Sequence, residues 1–138
     1  MAKDLLHDTV RKALEKDGWL ITHDPFKIRY GNTNVYVDLA AEEVLAAEKE
    51  GRKIAVEIKS FAGSSTISEF HTALGQFLNY RVAMELSEEA ERVLYLAVPT
   101  ETYRSFLSVA PASDVISRYS VQLIVYSPIE EAIDKWIE

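Results

Sequence analysis

The chain has 138 residues and is 48% hydrophobic, a size and composition suited to a single domain, residues 1–138, with one real core. Its net charge of −7 argues against a module that coats nucleic acid by neutralising phosphates, though not against an enzyme with a local basic patch or bound cations. The absence of cysteine excludes disulfides and thiolate zinc sites. With neither a membrane span nor an apolar signal region behind Met1 legible, the cytoplasm is the expected compartment.

Leu5, Val10, Ala13 and Leu14 follow helical spacing, so a first helix is expected over Asp4 to Lys16, ended by Asp17-Gly18. Trp19 to Thr22 reads as a strand. His23-Asp24-Pro25 is first a turn signal, and Phe26 to Tyr30 follows as a second strand. After a turn at Gly31 to Asn34, Val35 to Leu39 alternates, with Tyr36 and Asp38 on the polar face. Ala40 to Glu50 is compatible with a helix or with a hairpin arm turning at Lys49-Glu50-Gly51. The hairpin is the preferred expectation, because the next strand needs an antiparallel neighbour.

Arg52 to Phe61 reads as a strand with Ile54, Val56 and Ile58 on one face and Ala55, Glu57 and Lys59 on the other. A polar loop, Ala62 to Ser68, precedes a long helix to about Leu86, capped by Ser68. Val93 to Val98 is a buried strand ended by Pro99. Thr100 to Leu107 and Ala112 to Tyr119 read as helices, Gln122 to Tyr126 as the last strand and Ile129 to Ile137 as a C-terminal helix. The expected fold is α/β, a central mixed sheet flanked by helices in the order α-βββ-α-β-α-β-α.

The chemistry concentrates in few residues. Phosphodiester hydrolysis needs a divalent cation, an activated water and charge stabilisation at the phosphate. Asp38 and Glu57, on adjacent strands, can supply oxygen ligands for Mg²⁺ or Mn²⁺, with the backbone carbonyl of Ile58 as a further one. Lys59 projects from the same sheet face as Glu57. Its ammonium can orient the attacking water or neutralise developing charge. An E-x-K triplet alone is more often a cross-strand ion pair. Here it stands in an otherwise apolar strand, after Asp38, and before a helix that carries Gln76 and Tyr80 on one face.

Asp38, Glu57-Ile58-Lys59 and Gln76-Phe-Leu-Asn-Tyr80 resemble the motifs of the PD-(D/E)XK nuclease-like superfamily, the last matching the Q-x-x-x-Y helix of its RecB-like branch. The chain also resembles the XisH family, the fdxN element excision controlling factors of cyanobacteria. That likeness is carried by Gly18 to Pro25, Ala47-Glu48-Lys49, Lys53 to Phe61, Ala73 to Phe77 and Leu94 to Pro99. It implies a restriction-endonuclease-like core. It also implies work beside a site-specific recombinase and a XisI-like companion, in programmed DNA excision during heterocyst development. Two departures accompany it. Val37 replaces the motif's proline, and His7 falls near the acidic residue that superfamily members carry on the first helix, with Asp4 and Asp8 around it. His7 is thus a supporting candidate, as a softer ligand or a phosphate contact.

Other residues carry weaker expectations. Ser60 and Ser64-Ser65-Thr66 can meet phosphates from a loop beside the site. Glu48 joins the acidic cluster if its segment is a strand. Arg29, Arg52, Lys53 and Arg81 are candidates for a basic rim, and the run Ser87 to Glu91 should face away from DNA. Trp19 and Trp136 read as core or interface. Three functions follow: a Mg²⁺-dependent DNA endonuclease, a catalytically inactive nuclease-fold accessory protein that binds DNA or a recombination partner, or a purely structural homodimer subunit that uses an apolar surface on the C-terminal half. A homodimer is compatible with the first two as well.

Overall fold

The computed structural model describes residues 5–31, 36–41 and 44–138, apart from the side chains of 29–31 and 36–41. Helix α1 (His7–Lys16) ends at Gly18, whose φ of +92° suits a residue without Cβ. Five strands follow: β1 (Leu20–His23), β2 (Phe26–Gly31), β3 (Tyr36–Ala41), β4 (Val44–Lys49) and β5 (Arg52–Ile58). Asp24-Pro25 makes the bend between β1 and β2, as the turn chemistry implies. The β4–β5 connection settles the ambiguous segment as a hairpin. Lys49 pairs with Arg52, and Glu50 and Gly51 between them both have positive φ, 51° and 82°, the pattern of a type I′ turn.

The chain continues through α2 (Thr66–Glu85), β6 (Val93–Pro99), a short helix α3 (Thr100–Thr102) that widens into a π-helical turn (Tyr103–Leu107), α4 (Ala112–Arg118), β7 (Leu123–Ser127) and β8 (Ala132–Ile137). Six strands form one mixed sheet in the order β1-β4-β5-β6-β7-β8. The β5–β6 and β6–β7 pairs are parallel, and the other three are antiparallel. Both parallel crossovers step the same way along the sheet, so a common handedness puts α2 and α4 on one face. There Phe70, Ala73, Phe77 and Ile116 pack on Val44, Ala46, Ala55, Leu96 and Val125. On the other face, Val10 and Leu14 of α1 pack with Ile54, Val56, Ile58, Tyr95 and Ile124. Helices thus flank both faces, as expected. Among the described residues no helix is long and apolar enough to cross a membrane.

Several expectations are corrected. The segment expected as a C-terminal helix is strand β8, so β7 is not the last strand. The register explains the misleading pattern: Lys135 faces Val125 while Ile133 faces Tyr126, leaving Asp134 as an extra residue. The bulge brings Ile133 and Trp136, three apart, to one face, which mimics helical spacing. Helix α2 starts three residues earlier than expected, because Ser65 rather than Ser68 caps it; Ser65 Oγ accepts from the Ser68 amide at 3.2 Å. Most consequential for function, β3 is not a neighbour of β5. It pairs with β2 in a separate two-stranded sheet, and β4 takes the place beside β5. Phe26 and Ile28 seat β2 in the cluster beneath α2, so this ribbon lies on the same side of the main sheet as α2.

Candidate functional site

In β5 every residue from Ile54 to Ile58 is buried, and one of them is charged. Glu57 pairs with Val44 on β4 and with Leu96 on β6, both in the cluster under α2. Side chains directly opposite across a ladder share a face, so Glu57 points towards α2. Its exposure is 0%. Lys59 lies just beyond β5, but its amide donates to Ala97 O at 3.1 Å, which carries the ladder one residue further. Alternation then keeps Lys59 on the side of Glu57. Its contact agrees: Nζ is 3.8 Å from Oε1 of Glu69, in the first turn of α2. The other carboxylate oxygen, Oε2, accepts from the Gly63 amide at 2.6 Å.

Two helical turns beyond Glu69 comes Gln76, half-buried, with an Oε1 that is shielded and has no hydrogen-bond partner among the described residues. Tyr80 follows one turn later and packs its ring against the cluster. Glu69, Gln76 and Tyr80 therefore share one face of α2, and the Lys59 contact brings the first turn of that face to the end of β5. Glu57 and Lys59 thus face the side of the sheet that α2 covers, and Lys59 reaches the first turn of that helix. Sequence reasoning missed Glu69. The signal was present in its seven- and four-residue spacing to Gln76 and Tyr80, but only the fold shows that it meets Lys59.

Asp38 falls in β3 opposite Arg29, and Leu39 opposite the buried Ile28; the side chains of Asp38 and Arg29 are outside the described residues, as is Asp4. His7 opens α1, on the opposite face of the sheet from Glu57, and is 1% exposed. Its Nε2 donates to Asp24 Oδ1 at 2.7 Å, while Arg11 donates to Oδ2 at 2.8 Å. This group ties α1 to the β1–β2 bend. Glu48 lies four residues along β4 from Val44, about 13 Å away, with Oε2 3.9 Å from Arg92 Nη2.

Three of the basic-rim candidates, Arg52, Lys53 and Arg81, are occupied by other partners. Arg52 donates to the Tyr95 hydroxyl, Lys53 to Glu91, and Arg81 to the Ser120 carbonyl. Within the acidic run, Glu89 and Glu91 serve Arg92 and Lys53. Trp19 and Trp136 stack with ring centroids 5.6 Å apart, a core role as expected. In the serine loop, Ser65 serves as the cap and Thr66 opens the helix. A cavity of about 970 Å³ lies at the start of β7, between the C-terminal half of α2 and α4, and Glu57, Lys59 and Gln76 do not line it.

A hard divalent cation asks for oxygen donors. The site offers the Glu57 carboxylate, the Ile58 carbonyl at the end of β5 and the shielded Gln76 Oε1. That donor set fits such an ion in kind. Among the described residues no three Asp, Glu, His or Cys side chains gather as a complete cage.

A search of curated proteins found none that matches. Two crystal structures are similar. One is an XisH family protein from Nostoc punctiforme PCC 73102, 49% identical, covering 98% of this chain and 100% of that one at a TM-score of 0.88. The other is a fdxN element excision controlling factor protein from Anabaena variabilis, 48% identical, covering 96% of this chain and 98% of that one at a TM-score of 0.88. The family profile described as XisH protein matches residues 1–134, and the chain belongs to the XisH family.

Proposed function

We propose that this chain is a DNA element excision controlling factor, like its Anabaena variabilis relative, and that it carries a divalent-cation-dependent phosphodiester site of the PD-(D/E)XK kind. The observation that carries the reading is the burial of Glu57. The residues opposite it in the sheet, Val44 and Leu96, are apolar core residues, so an acid at this register position is unusual. A carboxylate is buried only where its charge is compensated, and Lys59 stands on the same face.

Glu57, the Ile58 carbonyl and Asp38 would hold Mg²⁺ or Mn²⁺. When bound, the cation supplies a more acidic water and neutralises charge on the phosphate. Lys59 keeps a positive charge beside the scissile phosphate, and Gln76 orients the attacking water through its amide oxygen. Tyr80 buttresses Gln76 from the next turn. Water adds at phosphorus, the ester P–O bond breaks and the departing oxygen takes up a proton. DNA is the substrate in this reading. A XisI-like companion and a site-specific recombinase are its partners in programmed excision in the cytoplasm, with a homodimer as a compatible assembly.

The second reading, an accessory protein of the same fold that binds DNA or a recombination partner without cutting, is favoured by the net charge of −7. Calorimetric titration with Mg²⁺ and Mn²⁺, followed by assays on duplex, single-stranded and branched DNA, separates the two. Cation binding abolished by Glu57→Ala and Asp38→Ala, together with cleavage, is expected. Binding without cleavage of any substrate supports the accessory role, and no binding at all sinks the phosphodiester site.

A further inference from the structure

We infer that Glu69 is the positioning residue of this site: it holds the Lys59 ammonium and couples it to the 60–65 loop through the Gly63 amide. The inference rests on the phosphodiester role proposed for Lys59. A lysine at a strand end has a flexible four-carbon stem, and its ammonium samples many positions unless something restrains it. Here the restraint comes from across the loop. Lys59 Nζ lies 3.8 Å from Glu69 Oε1, with side-chain exposures of only 17% and 21%. The pair is thus far less open to solvent than Lys53–Glu91, at 39% and 66%, and less screened by salt.

Glu69 is itself fixed by its other oxygen. The 2.6 Å bond from the Gly63 amide has the short length of a charge-assisted hydrogen bond. Gly63 makes this approach possible, because a Cβ there would sit 2.5 Å from Glu69 Oε2. Glu69 also stands on the same face of α2 as Gln76 and Tyr80. One carboxylate therefore registers three parts of the site against one another: the lysine after β5, the loop and α2. A substrate phosphate that draws Lys59 forward would loosen the pair, and the loop would sense it through Gly63.

Two variants separate the parts. Glu69→Gln keeps an acceptor for the Gly63 amide but loses the charge. Gly63→Ala keeps the charge but pushes the carboxylate off the loop. The readout independent of activity is NMR of protein with ¹³C-dimethylated lysines, the Lys59 signal being assigned with Lys59→Arg. The Lys59 signal should move in both variants while that of Lys53 stays. Cation-dependent cleavage by Glu69→Gln should lose roughly ten- to hundredfold in kcat with KM little changed, and its melting temperature should stay near that of the wild type. An unmoved Lys59 signal in both variants overturns the inference, as does an unchanged kcat. If the wild-type protein cleaves no DNA, the phosphodiester reading fails, and the Lys59 signal still decides whether Glu69 holds the lysine.

Discussion

Glu57 is fully buried in the central sheet between Val44 and Leu96, and that placement separates its two possible duties. A residue kept for packing should be costly to replace. A residue kept for chemistry should be cheap to replace in stability and ruinous in function. Glu57→Gln preserves size while removing the charge. The expectation is a folding stability equal to wild type or higher by about 1 kcal/mol, with cation binding lost, as measured by denaturant unfolding and calorimetry. A large loss of stability would instead mark Glu57 as a structural polar contact. Glu57, Lys59 and Gln76 were legible in the chain because each stands at a spacing that strand or helix geometry converts into a shared face. The His7–Asp24–Arg11 group was not legible, since its members come from α1 and from the β1–β2 bend and meet only in the fold.

At the scale of elements, local chemistry decided most boundaries. The Glu50-Gly51 turn made the β4–β5 hairpin, and Gly18 ended α1. The cap of α2 is a sharper test, because Ser65 and Ser68 both suit the position and only Ser65 accepts the helix amide. Ser65→Ala should cost about 1 kcal/mol, whereas Ser68→Ala should be nearly neutral; thermal unfolding of the two variants checks this. If Ser68→Ala is the costlier change, the helix starts where the sequence alone suggested. The β8 segment shows where local reading fails. Its apolar spacing suits a helix, but the open edge of β7 recruits it as a strand, and the bulge at Asp134 absorbs the mismatch.

For the molecule as a whole, β8 is the seal on one edge of the sheet. Its Trp136 ring lies 5.0 Å from Tyr95 and 5.6 Å from Trp19, which ties β8 to β6 and to the segment leading into β1. Burial, and then the Glu138 carboxylate, push the Tyr95 hydroxyl's pKa up, so the group stays neutral within this corner. Removing residues 132–138 would bare the buried strand β7 along its full edge, an invitation to intermolecular pairing. The truncated chain should lose cooperative melting and should aggregate, as followed by circular dichroism and light scattering. A soluble truncated protein that melts cooperatively would mean that the sheet closes without β8.

The sequence by itself determined an α/β domain of nuclease-like pattern, the central strand that carries Glu57 and Lys59, and the helix face that carries Gln76 and Tyr80. Those properties follow from periodicities of two and 3.6, which a chain displays without knowing its neighbours. Only the tertiary structure decided that β4 rather than β3 lies beside β5, that the C-terminal segment is a strand, and that Glu69 reaches Lys59. Each depends on which edge or side chain another part of the chain leaves available, and that competition is settled by packing rather than by local preference.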